Sequence, residues 1–383
     1  MQTAGQQLTL CIIKPNKVNY SEPFVEAHIQ RLPGNKKVVY GGFFPLFRHD
    51  GSFLIRNKLK LALYLIQKRI LGQKSIPVRD KAFASYLKEE KIDIVLAEYG
   101  PAGALVTEAC REAGVPLVIH YHGFDAHDRE VLAEYGELYR ESYDYAAAVV
   151  GVSEDMCKAL EDLGCPPEKV VYNPYGVDLG LFYPVNVSAS PINFLSVARF
   201  AEKKAPHLTI RAFAKVRKKY PEARLIMAGI GPLWKQSKSL AAELGLEGAI
   251  DFAGVLSHEE VYELMKTSRA FVQHSVTAAG GDSEGTPNSI LEAAAAGLPA
   301  VSTRHAGIKE AVLHEKTGFL VEEQDVEGMA AYLLKLAGDA SLAAALGANA
   351  RLHMEENYSF DHRIGRLWNI ICRSSEAGEN AWP

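Results

Sequence analysis

Short apolar runs alternate with longer amphipathic stretches along most of the chain. In the first half, the apolar runs predict β-strands at residues 8–13, 37–40, 92–97, 117–120 and 147–152. Helical spacing fills the gaps, with one helix predicted from about 103 to 113 and another that begins at Ser153 and ends at Gly164. This alternation is typical of α/β layers built on parallel sheets.

The same alternation restarts after a connector rich in proline, serine and asparagine at residues 183–191. The strands predicted in the second half are 193–198, 224–228, 250–252, 270–273 and 300–302. Ser257 and Glu260 have the spacing of a capping box, and Asp325 is placed to cap another helix.

We therefore expect two Rossmann-like, doubly wound parallel-sheet domains, at residues 1–184 and 190–357. A final helix at 358–383, with apolar residues at helical spacing from 360 to 371, is expected to pack back onto the first domain. Ligands of such sheets bind at the carboxyl ends of the strands, so we expect the site in a cleft between the two domains.

Composition narrows the class of protein. The chain has 383 residues, of which 48% are apolar, as in a globular protein with real cores. Its formal net charge of −4 argues against a nucleic-acid binder. The five cysteines are scattered and odd in number, which favours reduced thiols and a cytoplasmic protein. We predict neither a signal peptide nor a membrane span.

One helix start has the features of an anion site. Thr286 is placed to cap the helix, Pro287 suits its first position, and Gly297 ends it. Free backbone N–H groups and the helix dipole then favour negative charge before Pro287. Glu284 lies before this helix start and Glu292 inside the helix, about 12 Å apart if the whole span were helical. That separation exceeds the ~5–9.5 Å of glycosidase carboxylate pairs and suits holding two ends of one ligand.

Two further segments follow predicted strands, where ligands collect. Arg199 and Lys204 follow the strand at 193–198 and offer a guanidinium fork and a point charge to phosphate oxygens; a solvated basic turn is the structural alternative. His122 and Asp125 follow the strand at 117–120, beside Gly123, which allows close backbone approach. Histidines at 120 and 122 suggest a metal, but no further cluster has ligand spacing, so we expect none.

Gly229 and Gly231 form an incomplete glycine motif after the strand at 224–228. A turn without a ligand and a nucleotide contact are equally compatible with it. Because no complete GxGxxG follows the first strand of either predicted domain, a nicotinamide dehydrogenase is disfavoured.

A basic segment lies in the first half of the chain. Residues 51–81 carry eight basic residues against Asp80 alone, a net charge of +7. Within it, residues 53–70 have the spacing of an amphipathic helix, which could lie on an anionic membrane or pack internally. A positive wall for an anionic acceptor is a third alternative.

Together these motifs resemble the retaining glycosyltransferases of family 4, which have the GT-B fold, and most closely the bacterial exopolysaccharide and colanic-acid-type branch. The segments that carry the resemblance are His274-Ser275, Gly280 through Pro287, Glu292-Ala293, Gly297-Leu298-Pro299, Ser302-Thr303, Arg199 with Lys204, His122 through Asp125, Val152-Ser153, and Asn173 through Asp178.

The resemblance implies a role for each residue. Arg199 and Lys204 would bind the donor diphosphate, Glu292 the ribose, and Glu284 the donor sugar. The backbone of Gly285, Thr286, Pro287 and Asn288 would hold sugar hydroxyls and phosphate, and Val255 and Leu256 would contact the base. His122 would reach the donor sugar from the other domain. Ser21, Glu22 and Asp125 would lie on the acceptor side. Two segments depart from the family pattern, since residues 15–23 replace a paired-glycine loop and Ala306-Gly307 replaces a glycine pair.

The expected activity is retaining transfer of a hexose from a nucleotide-diphosphate sugar to an acceptor hydroxyl, without cofactor or metal. The acceptor is expected to be a saccharide or a lipid-linked saccharide in cell-surface polysaccharide synthesis. The enzyme would be cytoplasmic, or peripheral on the inner face of the membrane. Three alternatives are kept: a sugar-nucleotide epimerase, a phosphorylase, and a non-catalytic sugar-nucleotide-binding subunit.

Overall fold

The computed structural model describes residues 8–16, 23–69 and 76–376. The chain divides into two compact units, one formed by Met1–Asn173 with Ile364–Pro383 and the other by Pro174–Arg363. The division lies before the connector at 183–191, because the chain already packs on the second unit there. Val177 N–H donates to the Tyr358 carbonyl (2.7 Å), and the Phe182 ring lies 6.2 Å from that of Tyr262.

The first unit contains a six-stranded parallel sheet in the order β2-β1-β3-β4-β5-β6. The strands are β1 (Thr9–Lys14), β2 (Asn35–Tyr40), β3 (Ile94–Glu98), β4 (Leu117–His120), β5 (Ala148–Gly151) and β6 (Val170–Tyr172). All side chains of β3, β4 and β5 are buried, as expected for parallel strands covered on both faces. Strand β6 was not predicted, because three partly exposed residues leave little periodic signal.

Helices cover both faces of this sheet. The helices are α1 (Pro23–Arg31), α2 (Lys58–Arg69), α3 (Pro77–Glu89), α4 (Gly100–Ala113), α5 (Phe124–His127), α6 (Arg129–Tyr145) and α7 (Glu154–Asp162). A last helix, α15 (Phe360–Glu376), begins in the second unit and continues into the first. Its Ile364, Leu367 and Ile371 join the core of the sheet beside Leu10 and Ile12.

The second unit contains a six-stranded parallel sheet in the order β12-β11-β10-β7-β8-β9. Its strands are β7 (Asn193–Val197), β8 (Arg224–Ala228), β9 (Ile250–Gly254), β10 (Ala270–Val272), β11 (Ala300–Thr303) and β12 (Gly318–Val321). All ten predicted strands are confirmed to within two residues at either end. Strand β12 was missed.

The helices of the second unit are α8 (Pro206–Lys219), α9 (Trp234–Glu243), α10 (His258–Lys266), α11 (Asn288–Ala295), α12 (Ile308–Ala311), α13 (Val326–Gly338) and α14 (Ala340–Asn357). The predicted capping box of Ser257 and Glu260 is confirmed, as is the Asp325 cap on α13. No single helix among the described residues is long and apolar enough to cross a membrane. Helices α13 and α14 meet the criterion only together, and they are bent by 107°.

Each sheet has one point where the strand order reverses. In the first unit this point lies between β1 and β3, and in the second between β7 and β10. In open parallel sheets, ligands bind beyond the carboxyl ends of the strands at such a point. The two fold topologies therefore indicate where to look for a site in each unit.

Candidate functional site

The point of reversal in the second unit holds a buried ion pair. Strand β7 leads into the turn that carries Lys204, and strand β10 leads into the loop that carries Glu284. The Lys204 ammonium lies 2.8 Å from Glu284 Oε1, and the two side chains are only 14% and 6% exposed. Lys204 and Glu284, which are 80 positions apart in the sequence, are thus brought together, as expected if both contact one ligand.

Further polar groups support the Glu284 carboxylate. Ser275 Oγ donates to Glu284 Oε1 (3.2 Å), and the Glu284 backbone N–H donates to His305 Nε2 (3.2 Å). Burial raises the pKa of Glu284, but the charges of Lys204 and Lys203 and the hydrogen bond from Lys204 together outweigh it, so the pKa lies below its ordinary value. Burial also lowers the pKa of Lys204, against the opposing effect of Glu284. We assign both groups as charged at neutral pH.

The adjacent Lys203 has a structural role. Lys203 Nζ donates to Asp282 Oδ1 (2.9 Å), while the neighbouring Glu202 accepts a hydrogen bond from the Ala279 backbone N–H (2.8 Å). These two bonds tie the turn after β7 to the loop after β10. The loop that carries Glu284 is therefore held from the same turn that supplies Lys204.

His305 connects Glu284 to Glu323. The ring accepts from the Glu284 backbone at Nε2, which leaves the proton on Nδ1 to donate to Glu323 Oε1 (2.5 Å). Burial raises the pKa of Glu323, but the Thr277 amide and the His305 ring lower it to below its ordinary value. The tautomer of His305 is thus set by the Glu284 backbone N–H at Nε2 and the Glu323 carboxylate at Nδ1.

The helix start differs in detail from the prediction. Helix α11 begins at Asn288, and Pro287 is its N-cap with extended backbone and no side-chain capping bond. The predicted cap by Thr286 is wrong, because the Pro287 carbonyl already accepts the first bond of the helix, from Ile290 N–H (3.1 Å). Because residues 284–287 are not helical, the 12 Å helical estimate does not apply. The N-terminus of α11 nevertheless directly follows the loop of Glu284.

The Ala306-Gly307 pair lies against that loop. The Gly307 N–H donates to the Gly285 carbonyl (3.1 Å), and a Cβ on Gly307 would stand 2.6 Å from the same oxygen. Ala306 has a φ of 41°, in the left-handed region where glycine is favoured. The departure from a glycine pair is thus accommodated at some backbone strain.

Arg199 and the glycine motif lie on neighbouring loops. The Arg199 side chain is exposed, and its charge contributes to lowering the pKa of Lys204. A Cβ on Gly229 would stand 2.0 Å from the Ala198 carbonyl oxygen, and one on Gly231 would stand 2.5 Å from that of Phe200. Close packing of two loops therefore accounts for both glycines without a ligand.

The predicted ribose and base contacts lie further along the same edge. Glu292, in the second turn of α11, has His258 Nε2 3.6 Å from its Oε1, and this carboxylate raises the pKa of His258. Val255 follows β9 with an exposed side chain, and Leu256 is half-buried. Val255 precedes His258, the partner of Glu292, by three residues, and an exposed apolar side chain on a segment next to a carboxylate suits a base and a ribose.

In the first unit, three histidines surround one buried carboxylate. Glu98, the last residue of β3, is fully buried; its Oε1 lies 2.8 Å from His28 Nδ1 and its Oε2 lies 2.8 Å from His122 Nε2. His120 Nδ1 lies 3.5 Å from Oε2. Burial raises the pKa of Glu98, but the histidines lower it well below its ordinary value. Burial lowers the pKa of His122 to about 3, so this ring is neutral at pH 7.

Within the described part of the chain, His28, Glu98 and His120 also form a group of potential metal ligands. Their donor atoms lie within 4.8 Å of one another. Ring N–H groups of His28 and His122 donate to the carboxylate, so hydrogen bonds account for the positions of these two rings, while the ring nitrogens of His120 are buried without a hydrogen bond to any described residue. The cluster was not foreseen, although a charged residue at the end of an apolar strand is a signal that could have found Glu98.

The predicted acceptor-side residues fall into two groups. Asp125 is fully buried and accepts from the backbone N–H groups of Gly100 (3.0 Å), His122 (2.9 Å) and Gly123 (2.8 Å). Burial raises the pKa of Asp125 to about 6, even though these N–H groups lower it. Its carboxylate thus holds the loops after β3 and β4. Ser21 and Glu22 lie outside the described residues.

The basic segment is partly helical and partly buried. Helix α2 exposes Leu59 (83%), Leu63 (45%) and Ile66 (47%), which have the spacing of one helix face. The helix begins at Lys58, later than predicted, because Phe53 forms a β-bridge with Phe47.

Some basic side chains of this segment are exposed and others are buried. Exposed basic side chains accompany the apolar face of α2, at Arg56, Lys58, Lys60 and Lys68. Arg79, by contrast, is buried and paired with Asp80 (2.8 Å), so it adds nothing to a basic surface.

Comparison with known proteins connects these sites to a family. Residues 185–353 match the family described as Glycosyl transferases group 1, and residues 44–181 match Glycosyltransferase Family 4. The chain is 33% identical over 301 residues to the putative colanic acid biosynthesis glycosyltransferase WcaL of Escherichia coli (strain K12), covering 77% of this chain and 71% of that protein.

Two further comparisons agree. The amylovoran biosynthesis glycosyltransferase AmsK of Erwinia amylovora is 33% identical over 278 residues, covering 71% of this chain and 68% of that protein. The crystal structure of Anabaena Alr3699/HepE in complex with UDP has a TM-score of 0.75 at 19% identity, covering 96% of this chain and 100% of that one. At that identity the likeness shows a shared fold.

Proposed function

Because the chain belongs to the glycosyltransferases of group 1 and family 4, we propose that it transfers a hexose from a nucleotide-diphosphate sugar to a hydroxyl of a saccharide or lipid-linked saccharide. The relatives named for colanic acid and amylovoran synthesis support a role in exopolysaccharide synthesis. The single observation that carries the proposal is the buried pair of Lys204 and Glu284 at the point of strand reversal in the second unit.

The chemistry follows from the charge that develops when the diphosphate leaves. Negative charge grows on the phosphate oxygen, and Lys204, the exposed Arg199 and the N-terminus of α11 are the positive groups available to meet it. Glu284 holds Lys204 in place and offers a carboxylate to the hydroxyls of the donor sugar. Glu292 and Val255 are assigned to the ribose and the base, and Gly285 with Asn288 to hydroxyls and phosphate.

We assign the reaction as retaining and independent of a divalent metal. The acceptor hydroxyl attacks from the side that the diphosphate leaves, and its proton passes to that leaving group. His122, oriented by Glu98, is assigned a contact with the donor sugar. NMR of the product reads the anomeric configuration directly, and activity that is abolished by EDTA and restored by Mg²⁺ would refute metal independence.

The first experiment is a thermal-shift panel of UDP-, GDP- and ADP-sugars, followed by mass spectrometry of products with candidate saccharide acceptors. Arg199→Ala should lower the transfer rate by about 10²–10³-fold, because one preorganised group facing the developing charge is worth ~2.7–4 kcal/mol. Arg224→Ala is the matched control, since Arg224 is exposed at the opposite, amino end of β8. Equal rates for the two variants would remove Arg199 from the site.

The same assays separate the alternative functions. An epimerase would convert the donor sugar without any acceptor, and a phosphorylase would require free phosphate. A non-catalytic binding subunit would show a donor-dependent rise in melting temperature and no turnover with any acceptor.

Helix α2 supports a second, membrane-directed part of the proposal. An exposed apolar stripe at Leu59, Leu63 and Ile66 accompanied by exposed lysines is the pattern of a helix that lies on an anionic membrane. We therefore place the enzyme on the cytoplasmic face of the membrane, where a lipid-linked acceptor would be presented.

Liposome flotation tests this placement with vesicles containing phosphatidylglycerol. The charge-reversal variant changes Lys58, Lys60, Lys68 and Arg69 to glutamate. A control variant reverses exposed basic residues of the second unit, at Arg211, Lys218, Lys219 and Lys235. Flotation should be lost only in the first variant; equal flotation of that variant and the wild type would rule the membrane role out.

A further inference from the structure

The carboxyl edge of the first sheet holds a cavity that the assigned residues leave unused. Its volume is about 990 Å³. Its lining includes Pro15, Tyr40, Phe43, Tyr99 and Phe124. Pro15 and Tyr99 directly follow β1 and β3, and Tyr40 is the last residue of β2, so the cavity opens at the point of strand reversal.

The lining has an unusual chemistry. Among the described residues that line it, five side chains are aromatic (Tyr40, Phe43, Phe47, Tyr99 and Phe124), none is charged, and none is a branched aliphatic. A site for a phosphate or a carboxylate would present arginine or lysine, and a site for an alkyl chain would present leucine, isoleucine or valine. Aromatic faces carry partial negative charge and attract the partly positive C–H groups of a ligand. A pyranose ring has such C–H groups on its faces and hydroxyls around its edge.

The aromatic side chains also hold one another in place. The Phe43 ring lies 6.4 Å from the rings of both Tyr99 and Phe124, and the last two lie 5.3 Å apart. Tyr99 has a φ of 80°, a conformation that costs free energy in a residue with a side chain and tends to occur at functional sites. Its orientation is thus set by the loop that Asp125 fixes through Gly100.

One residue of the cavity lining contacts the histidine cluster. The Tyr99 ring contacts that of His122 edge to face, with centroids 4.7 Å apart. The His122 side chain is buried, so the Tyr99 ring lies between it and a ligand in the cavity, on the same unit. This contact connects the cavity to a residue that the proposed function already uses.

We propose that this cavity binds a pyranose ring of the acceptor by stacking on its aromatic side chains, with Phe43 and Phe124 as specificity-determining residues. The inference rests on the proposed function and deepens it: the sugar portion of the acceptor is recognised here, and its lipid portion is not. It also accounts for the uncharged lining, since an acceptor sugar needs no counter-charge.

The test uses the full-length protein and two binding probes that require no turnover. Saturation-transfer NMR is recorded with methyl glycopyranosides and with farnesyl phosphate as the lipid probe. Phe43 is half-buried, so it tolerates substitution better than the buried Tyr99. Phe43→Tyr keeps the aromatic face, whereas Phe43→Leu keeps an apolar side chain without it. Tyr183→Ala, at an exposed tyrosine of the second unit, is the control.

We expect a methyl glycopyranoside signal from ring C–H protons in the wild type, Phe43→Tyr and Tyr183→Ala, and its loss in Phe43→Leu. With an acceptor identified by the product screen, Phe43→Leu should raise the acceptor KM by about three- to tenfold, the order of magnitude expected for one aromatic contact. The donor KM and donor hydrolysis without acceptor should change less than about twofold.

Three outcomes would overturn the inference: no glycoside signal in the wild type, an equal signal in Phe43→Leu, or a signal from farnesyl phosphate that Phe43→Leu preserves. These are separable from failure of the proposed function. Glycosyl transfer that persists with an unchanged acceptor KM refutes only the cavity, whereas absence of transfer to every acceptor refutes the parent proposal.

Discussion

The two units place their candidate sites at the same topological position and fill them with opposite chemistry. At the point of reversal in the second sheet, Lys204 and Glu284 form a buried ion pair beside an exposed arginine. At the corresponding point in the first sheet, the described residues that line the cavity are largely aromatic and carry no charge, and Glu98, which precedes the lining residue Tyr99, is enclosed by histidines. Strand order thus determines where a ligand binds, and the loops determine which ligand it is.

The largest effect is expected when the buried ion pair of the second unit is broken. Lys204→Ala leaves the Glu284 carboxylate buried without its partner, which should cost ~3–5 kcal/mol of stability and about 10²–10³-fold in transfer rate. The measurements are urea denaturation and steady-state transfer with the identified donor. The double variant Lys204→Met with Glu284→Gln removes both charges and should recover much of the stability but none of the activity. Full stability in Lys204→Ala would show that the pair is not energetically coupled.

The neutral histidine beside Glu98 in the first unit is tested by the dependence of stability on pH. His122 has a folded-state pKa of about 3 against an ordinary value near 6.5, so the unfolded chain binds its proton more tightly. The free energy of unfolding should therefore fall on acidification from about pH 6.5, by ~2 kcal/mol at pH 5 from this group alone. Burial lowers the pKa of His120 as well, which adds to the same trend.

His122→Gln removes the titrating ring and keeps an N–H donor for Glu98. Its urea denaturation midpoint should depend less on pH between 5 and 7 than that of the wild type. If both proteins lose the same stability over this range, His122 is not the source of the acid sensitivity.

The smallest expected effect sharpens the geometry of the charged site. Gly307→Ala should destabilise the protein by ~1–3 kcal/mol, since the new Cβ would meet the Gly285 carbonyl at 2.6 Å. Ala306→Gly, one residue earlier, relieves a left-handed alanine and should change stability by ~1 kcal/mol or less in the favourable direction.

The two variants form a matched pair, measured by thermal and urea denaturation and by donor affinity. Gly307→Ala should also weaken donor binding, because it displaces the loop that carries Glu284. Equal stability of the two variants would show that the backbone at this position is not constrained as described.

Much of the fold was accessible from sequence because strand signals are local. Apolar runs placed ten strands, and the caps at Ser257 and Asp325 placed two helix starts. Strand β6 was not predicted because three half-exposed residues show no alternation of apolar and polar side chains. Thr286 was misassigned because a Thr-Pro pair has two possible N-caps, and only the observed hydrogen bond to the Pro287 carbonyl distinguishes them.

The site could be predicted only in part, because only some of its residues have local sequence signals. Arg199, Lys204 and Glu284 could be named because they follow predicted strands or a predicted helix start. The partners of a buried group come from distant segments, so the cluster around Glu98, which draws on α1, β3 and β4, gives no local signal. The aromatic cavity likewise depends on which strand ends are neighbours, and strand order cannot be read from periodicity.

One feature of the chain path bears on how such proteins diversify. The second unit is an insertion in the first, and its two ends meet: Val177 donates to Tyr358 (2.7 Å) and accepts from Phe360 (3.1 Å). Joined ends make a segment easy to exchange, because a replacement need only span the same short gap. The stretch from Pro174 to Arg363 could therefore be exchanged as one piece, and recombination at its two borders would replace the second unit while leaving the sheet of the first unchanged.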